Sequence, residues 1–168
     1  MDYFELFDIP VQLKIAKGSL RQKYLSLSRQ YHPDHQAQQT AHTEEEVLEA
    51  SARLNQAYKT LGDEDALIAY VLEQKGVLER EEKYVLPSTF LMEMMDLNEA
   101  LTEASEDSKE TIQNQLKELQ NEIYAPVKNI MESYLEGVTS EKELLQVKEY
   151  YFKKKYLYRL AHQLDQKL

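Results

Sequence analysis

Apolar residues recur with helical spacing along most of this chain, and the interruptions divide it into segments. After Gly18, with Ser19 as the expected cap, Leu20, Tyr24, Leu27 and Tyr31 stand at i, i+4, i+7 and i+11, which predicts a helix to about Tyr31 with one core-facing stripe. The aromatic run Tyr3-Phe4-Glu5-Leu6-Phe7 before it, closed by Pro10, reads as one short helix or an ordered anchor packed on something else. Pro33 ends the first long helix, because the residue before a proline is driven out of the helical region. A polar loop follows. Helical spacing resumes near Thr43, with Glu44, Glu45 and Glu46 in the first turn, where the helix dipole favours carboxylates. Val47, Ala50, Leu54, Ala57 or Tyr58, and Leu61 then face inward as far as Gly62-Asp63. Two antiparallel helices joined by an exposed loop is the simplest arrangement, and a short apolar helix from Ala66 to Leu72 follows.

The charged stretch 76–83 reads as a connection. Beyond it, Ser88 or Thr89 is the expected cap of a helix from Phe90 to about Ala104. A second helix, roughly Ser108 to Leu135, carries Ile112, Leu116, Leu119, Ile123, Val127, Ile130 or Met131, and Tyr134 in register. Pro126 inside it predicts a kink or short break at Ala125. Gly137 is the expected stop, and Ser140-Glu141-Lys142-Glu143 has the spacing of a capping box opening a third helix that reaches the C-terminus. The expected fold is therefore all-α, with an N-terminal helical domain over 1–75, a linker over 76–83 and a C-terminal three-helix bundle over 84–168. Only 4 Gly and 4 Pro among 168 residues agree with long uninterrupted helices.

Charge and composition then remove functional classes. Thirty acidic against 20 basic residues give a net charge of -10, which disfavours a nucleic-acid backbone as partner. No apolar run approaches the roughly 18 residues of a membrane span, and the acidic N-terminus does not resemble a targeting segment, so a cytoplasmic protein is expected. The absence of cysteine excludes disulfides, a catalytic thiol and cysteine-held zinc or iron–sulfur sites. No Gly-rich phosphate loop is present, and no nucleophile accompanies the histidines, so neither a cofactor nor catalysis is expected.

Two local features remain. His32-Pro33-Asp34 is a stiff polar loop in which Asp34 can accept charge-assisted hydrogen bonds from a partner's arginine. The helix before it carries Arg21, Gln22, Lys23 and Arg29 away from its apolar stripe, a local excess of positive charge that by itself is an ordinary solvated face. A metal site from His32, Asp34, His35 and His42 lacks the further carboxylate or cysteine ligands of a closed site. The second feature is the Phe90 helix. At about 100° per residue, Phe90, Met94, Leu97 and Leu101 form one stripe, while Leu91, Met92 and Met95 lie elsewhere beside Asp96 and Glu99. This surplus apolar face either packs on the N-terminal half or binds a protein partner. Phe152 likewise falls outside the core spacing of the last helix, next to Lys153-Lys154-Lys155, whose plain reading is a solvated face.

The His-Pro-Asp loop after a basic helix, with Asn55-Gln56-Ala57-Tyr58-Lys59-Thr60-Leu61 closing the next one, resembles the J domain, the module that activates DnaK-type chaperone ATPases. Together with the opening MDYFELF and the helix Phe90-Leu91-Met92-Glu93-Met94-Met95-Asp96-Leu97, the whole chain resembles the HscB family of iron–sulfur co-chaperones. The resemblance implies an L-shaped protein that contacts a DnaK/HscA-type ATPase through His32, Pro33, Asp34, Arg21, Lys23 and Arg29. It implies binding of the IscU-type scaffold protein through Leu91, Met92, Met95, Asp96, Glu99 and Phe152, with no metal, cofactor, membrane or nucleic acid. Met95 and Asp96 stand where many relatives carry Leu and Glu. A general J-domain protein serving unfolded clients is the alternative. On this reading, His32→Gln or Asp34→Asn abolishes ATPase stimulation, measured by phosphate release, while circular dichroism and melting stay nearly unchanged, because the motif lies in a loop.

Overall fold

The computed structural model describes residues 1–32 and 43–167, and all regular structure among them is helical. The chain divides into two compact units, residues 1–71 with 133–138, and residues 72–132 with 139–168.

In the first unit, α1 (Tyr3–Leu6) opens with a capping box: Asp2 accepts from the Glu5 amide at 2.8 Å, and Glu5 accepts from the Asp2 amide at 3.2 Å. It buries Phe4, and Phe7 follows just beyond its end. α2 (Lys17–Gln30) starts two residues earlier than its expected cap, and the Ser19 hydroxyl donates back to the Ala16 carbonyl instead of capping. α3 (Glu44–Leu61) is capped by Thr43, whose hydroxyl accepts from the Glu46 amide at 3.1 Å while the Glu46 carboxylate returns to the Thr43 amide. α2 and α3 run antiparallel. Leu20 of α2 faces Gly62, where a Cβ would sit 2.9 Å from the Tyr58 carbonyl, and one turn on Tyr24 faces Tyr58 and Asn55. The two tyrosine rings stack at 4.0 Å and the Tyr24 hydroxyl donates to Asn55 at 2.7 Å, so the hairpin joins an apolar stripe to a polar seam. α4 (Glu64–Gln74) is longer than the expected 66–72, because Asp63 accepts from the Ala66 amide and extends its first turn. Tyr70 of α4 stacks on Tyr3 at 4.7 Å and its hydroxyl accepts from the Tyr3 amide. Arg53 lies over the other partner in that stack, Tyr3, and donates to the Met1 carbonyl.

In the second unit, α5 (Ser88–Thr102) has Pro87 at its N-cap, in place of a Ser or Thr cap, since the extended conformation of Pro87 already sets the entry. α6 (Glu106–Tyr124) yields to a 3₁₀ turn over Ala125–Val127 and then α7 (Lys128–Glu132). The break falls where Pro126 removes a helix donor, and helical structure ends at Glu132 before reaching Leu135. α8 (Glu141–Lys167) begins at the Ser140–Glu143 capping box. α5, α6 and α8 enclose one core: Phe90, Met94, Leu97 and Leu101 against Ile112 and Leu116 and against Leu157, Leu160 and Leu164. The ammonium groups of Lys153 and Lys155 lie over the rings of Phe90 and Tyr151, 5.3 and 5.0 Å from the ring centroids.

The residues 76–83 are fastened to this unit. Val77 and Leu78 are buried, and Lys148 of α8 donates to the Val77 carbonyl at 2.8 Å and to the Glu82 carboxylate at 2.6 Å. The Lys148 hydrogen bond and the Glu79 amide hold the Glu82 carboxyl below its ordinary value of 4.5. A carboxyl lowered in this way stabilises the fold above its unfolded value, and the contribution is lost as pH falls through the folded one. Glu82→Gln should therefore cost about 1 kcal/mol at pH 7 in urea denaturation, and the gap to wild type should begin to narrow below about pH 4.5 and vanish as pH falls through the lowered folded value.

Candidate functional site

The two candidate surfaces are helix faces left over once each helix has buried its core stripe. On α2, Leu20 is buried and Tyr24, Leu27 and Tyr31 are half-buried on the same side. Arg21, Leu25 and Arg29 follow one another at i, i+4 and i+8 on the outer side, all exposed, with the two arginine backbones about 12 Å apart along the axis. Lys23 is not part of that stripe. It lies about 160° around the helix from Arg21, and its ammonium donates to the carbonyls of Phe7 and Asp8 at 3.3 and 3.0 Å. Lys23 thus ties α2 to the turn after α1. Leu25, to which the apolar periodicity gave no role, lies exposed between the two arginines, and its signal was the fourfold spacing. His32 is exposed at the helix end, with its amide donating to the Arg29 carbonyl, while Pro33 and Asp34 lie outside the described residues.

On α5 the stripe Phe90, Met94, Leu97 and Leu101 is at most 6% exposed. Leu91, Met92 and Met95 are 37%, 65% and 70% exposed, and Asp96 and Glu99 beside them are exposed too. The flank toward α6 is acidic: Glu93, Asp96, Glu118 and Glu122 line a groove of about 340 Å³ with Leu97, Ala100, Gln115 and Leu119. The apolar trio is therefore bordered on one side by negative charge. Phe152 of α8 is half-buried. Its ring stacks on Tyr84 at 4.6 Å with 7° between planes and meets the edge of Tyr151 at 5.2 Å. Burial first, then the charges of Glu149 and Glu82, push the Tyr84 phenol above its ordinary value and keep it protonated. Tyr84 had no signal in the sequence, where it directly follows the charged stretch 76–83. Among the described residues no group of three or more histidines, aspartates or glutamates could hold a metal ion, and no helix is long and apolar enough to cross a membrane.

Among the described residues, neither surface presents a nucleophile with a base. Both suit the binding of other proteins, and the comparisons with known proteins identify the class as co-chaperones. Residues 86–165 match the family model described as HSCB C-terminal oligomerisation domain. A co-chaperone protein HscB homolog from Acinetobacter baumannii strain SDF is 36% identical over 141 residues, spanning 84% of this chain and 78% of the relative. A homolog of the same name from another strain of that species is 32% identical over 165 residues, spanning 98% and 89%. The solved structure of the human co-chaperone protein HscB is similar, with a TM-score of 0.79 and 28% identity over 99% of this chain and 82% of that one. Chaperone HscB from Vibrio cholerae shares the fold, with a TM-score of 0.73 and 23% identity over 99% and 96%. The chain belongs to the HscB co-chaperone family. The different surroundings of the α2 cations separate in a stability measurement: Lys23→Met should cost about 1–2 kcal/mol in denaturant unfolding, by releasing two carbonyls from a charged donor, whereas Arg21→Glu should stay within about 0.5 kcal/mol.

Proposed function

We propose that this chain is a cytoplasmic adaptor that stimulates the ATPase of a DnaK/HscA-type chaperone and delivers an IscU-type scaffold protein to it, promoting iron–sulfur cluster assembly and transfer. The chaperone contact uses Arg21, Lys23 and Arg29 with His32, Pro33 and Asp34. The scaffold contact uses Leu91, Met92, Met95, Asp96, Glu99 and Phe152. The chain turns over no substrate of its own. The observation that carries this reading is α5: its core stripe is buried, and a second apolar face of Leu91, Met92 and Met95 stays exposed beside carboxylates. Flexible, polarisable methionines suit such a protein contact. A relative from Arabidopsis thaliana, named iron-sulfur cluster co-chaperone protein HscB homolog, supports the iron–sulfur role; it is 28% identical over 84% of this chain and 54% of its own length.

The triple substitution of Leu91, Met92 and Met95 to Ala should weaken scaffold binding in calorimetric titration by about 2–4 kcal/mol, the range of interface anchors, and leave the urea midpoint unchanged. This variant should stimulate the chaperone ATPase normally alone, but lose the added stimulation seen with scaffold, which requires one chain to hold both partners. A midpoint lowered as for core truncation would mean that these side chains pack within the protein. Unaltered capture of unfolded clients, with no scaffold binding by wild type, would favour a general J-domain protein. Arg21→Glu with Arg29→Glu should weaken stimulation, and rising salt should weaken it in the wild type, because the contact is charge-driven.

A further inference from the structure

Resting on the scaffold reading above, we propose that Tyr84 is a positioning residue for scaffold binding: it holds the Phe152 ring as a preset anchor at the edge of the α5 apolar face. The placement follows from the neighbours of α8. Lys153 lies over the Phe90 ring and Tyr156 meets its edge, so this side of α8 faces α5, and Phe152, one turn before Tyr156, borders the same seam. On α5, Glu93 and Asp96 turn toward α6, which leaves Leu91, about 160° around the helix from Glu93, on the flank away from α6. Tyr84 stands four residues before Ser88, the start of α5, so the ring it stacks on is brought to the helix end that carries Leu91.

The segment bearing Tyr84 is held as a strap across α8. Lys148 binds three points of it with one ammonium group: the Val77 carbonyl, the Glu82 carboxylate and the face of the Tyr84 ring at 5.6 Å. Glu81 adopts φ 58, a left-handed conformation that a non-glycine residue keeps only where its surroundings enforce it. Val85, the next residue after Tyr84, is 85% exposed, so hydrophobic burial at that position does not hold the strap down. The result is a flat ring stacked on one face of Phe152 and an edge contact from Tyr151, with part of the Phe152 ring still open to solvent. An interface side chain fixed before binding loses less rotational freedom when the partner arrives, and this favours affinity without any added contact.

A double-mutant cycle on the full chain tests the proposal, with purified apo IscU-type scaffold as the titrant in calorimetry and the melting midpoint of every variant recorded. Tyr84→Ala should weaken binding about two- to tenfold. Tyr84→Phe, which keeps the ring, should bind as wild type. In a Phe152→Ala background, Tyr84→Ala should have no further effect, because the ring it positions is gone. Glu82→Gln loosens the strap without truncating a ring and should weaken binding by a smaller factor that also vanishes with Phe152→Ala, so the proposal stays testable if Tyr84→Ala does not fold. Additive effects of Tyr84→Ala and Phe152→Ala overturn it, as does wild-type affinity in Phe152→Ala. If wild type itself does not bind the scaffold, the scaffold reading falls and this inference with it, an outcome distinct from additivity in a protein that binds.

Discussion

A helix in a three-helix bundle can bury only one face, and α5 carries apolar side chains on two. Phe90, Met94, Leu97 and Leu101 win the core because they alone recur at the spacing that keeps about three turns against α6 and α8. Leu91, Met92 and Met95 are then left outside by geometry, whatever their hydrophobicity. Exposed apolar surface of this kind tends to reduce solubility, and the chain borders it with Asp96, Glu99 and the carboxylates of the α5–α6 groove. The exposed apolar face of the second unit is thus a by-product of how its core closes.

Lys148 organises what lies next to that surface. A single buried-side ammonium satisfies a backbone carbonyl, a carboxylate and an aromatic face, and so converts a charged stretch of low apparent order into a fixed strap. Charge-assisted hydrogen bonds suit this role because each is stronger than a neutral one and the lysine can reach three groups from one rotamer. The same economy occurs in the first unit. Lys23 uses two carbonyls after α1 to fix the angle at which the aromatic anchor, Phe4 and Phe7, meets α2.

The two lysines also show why local charge is a weak guide to partners. Lys23 and Lys148 are as polar in the sequence as Arg21 or Lys117, yet their ammonium groups are turned onto their own protein. Lys153 and Lys155 lie over aromatic rings in the same way. The outer stripe of α2 is Arg21–Leu25–Arg29, a smaller and more mixed exposed surface than a count of cations suggests.

Elements governed by near neighbours are legible in the amino-acid order alone. The period of 3.6 selects the core stripes of α3, α5 and α6, Ser140 and Glu143 mark the start of α8, and Pro126 marks the break after α6, since each acts over at most a few residues. Ser19 misleads because a hydroxyl in a first turn can bond back to the chain as readily as cap it, and the Thr43–Glu46 box is masked by three adjacent glutamates that the dipole alone explains. Tyr84 on Phe152, Tyr3 on Tyr70 and Lys148 on Glu82 span about 66 to 68 positions, and no local pattern encodes such a pairing. The amino-acid sequence by itself determined the helices, their buried faces and the family resemblance. Only the tertiary structure decided which cations and rings are committed internally, because that depends on which side chains the packed helices bring within a few ångströms of one another.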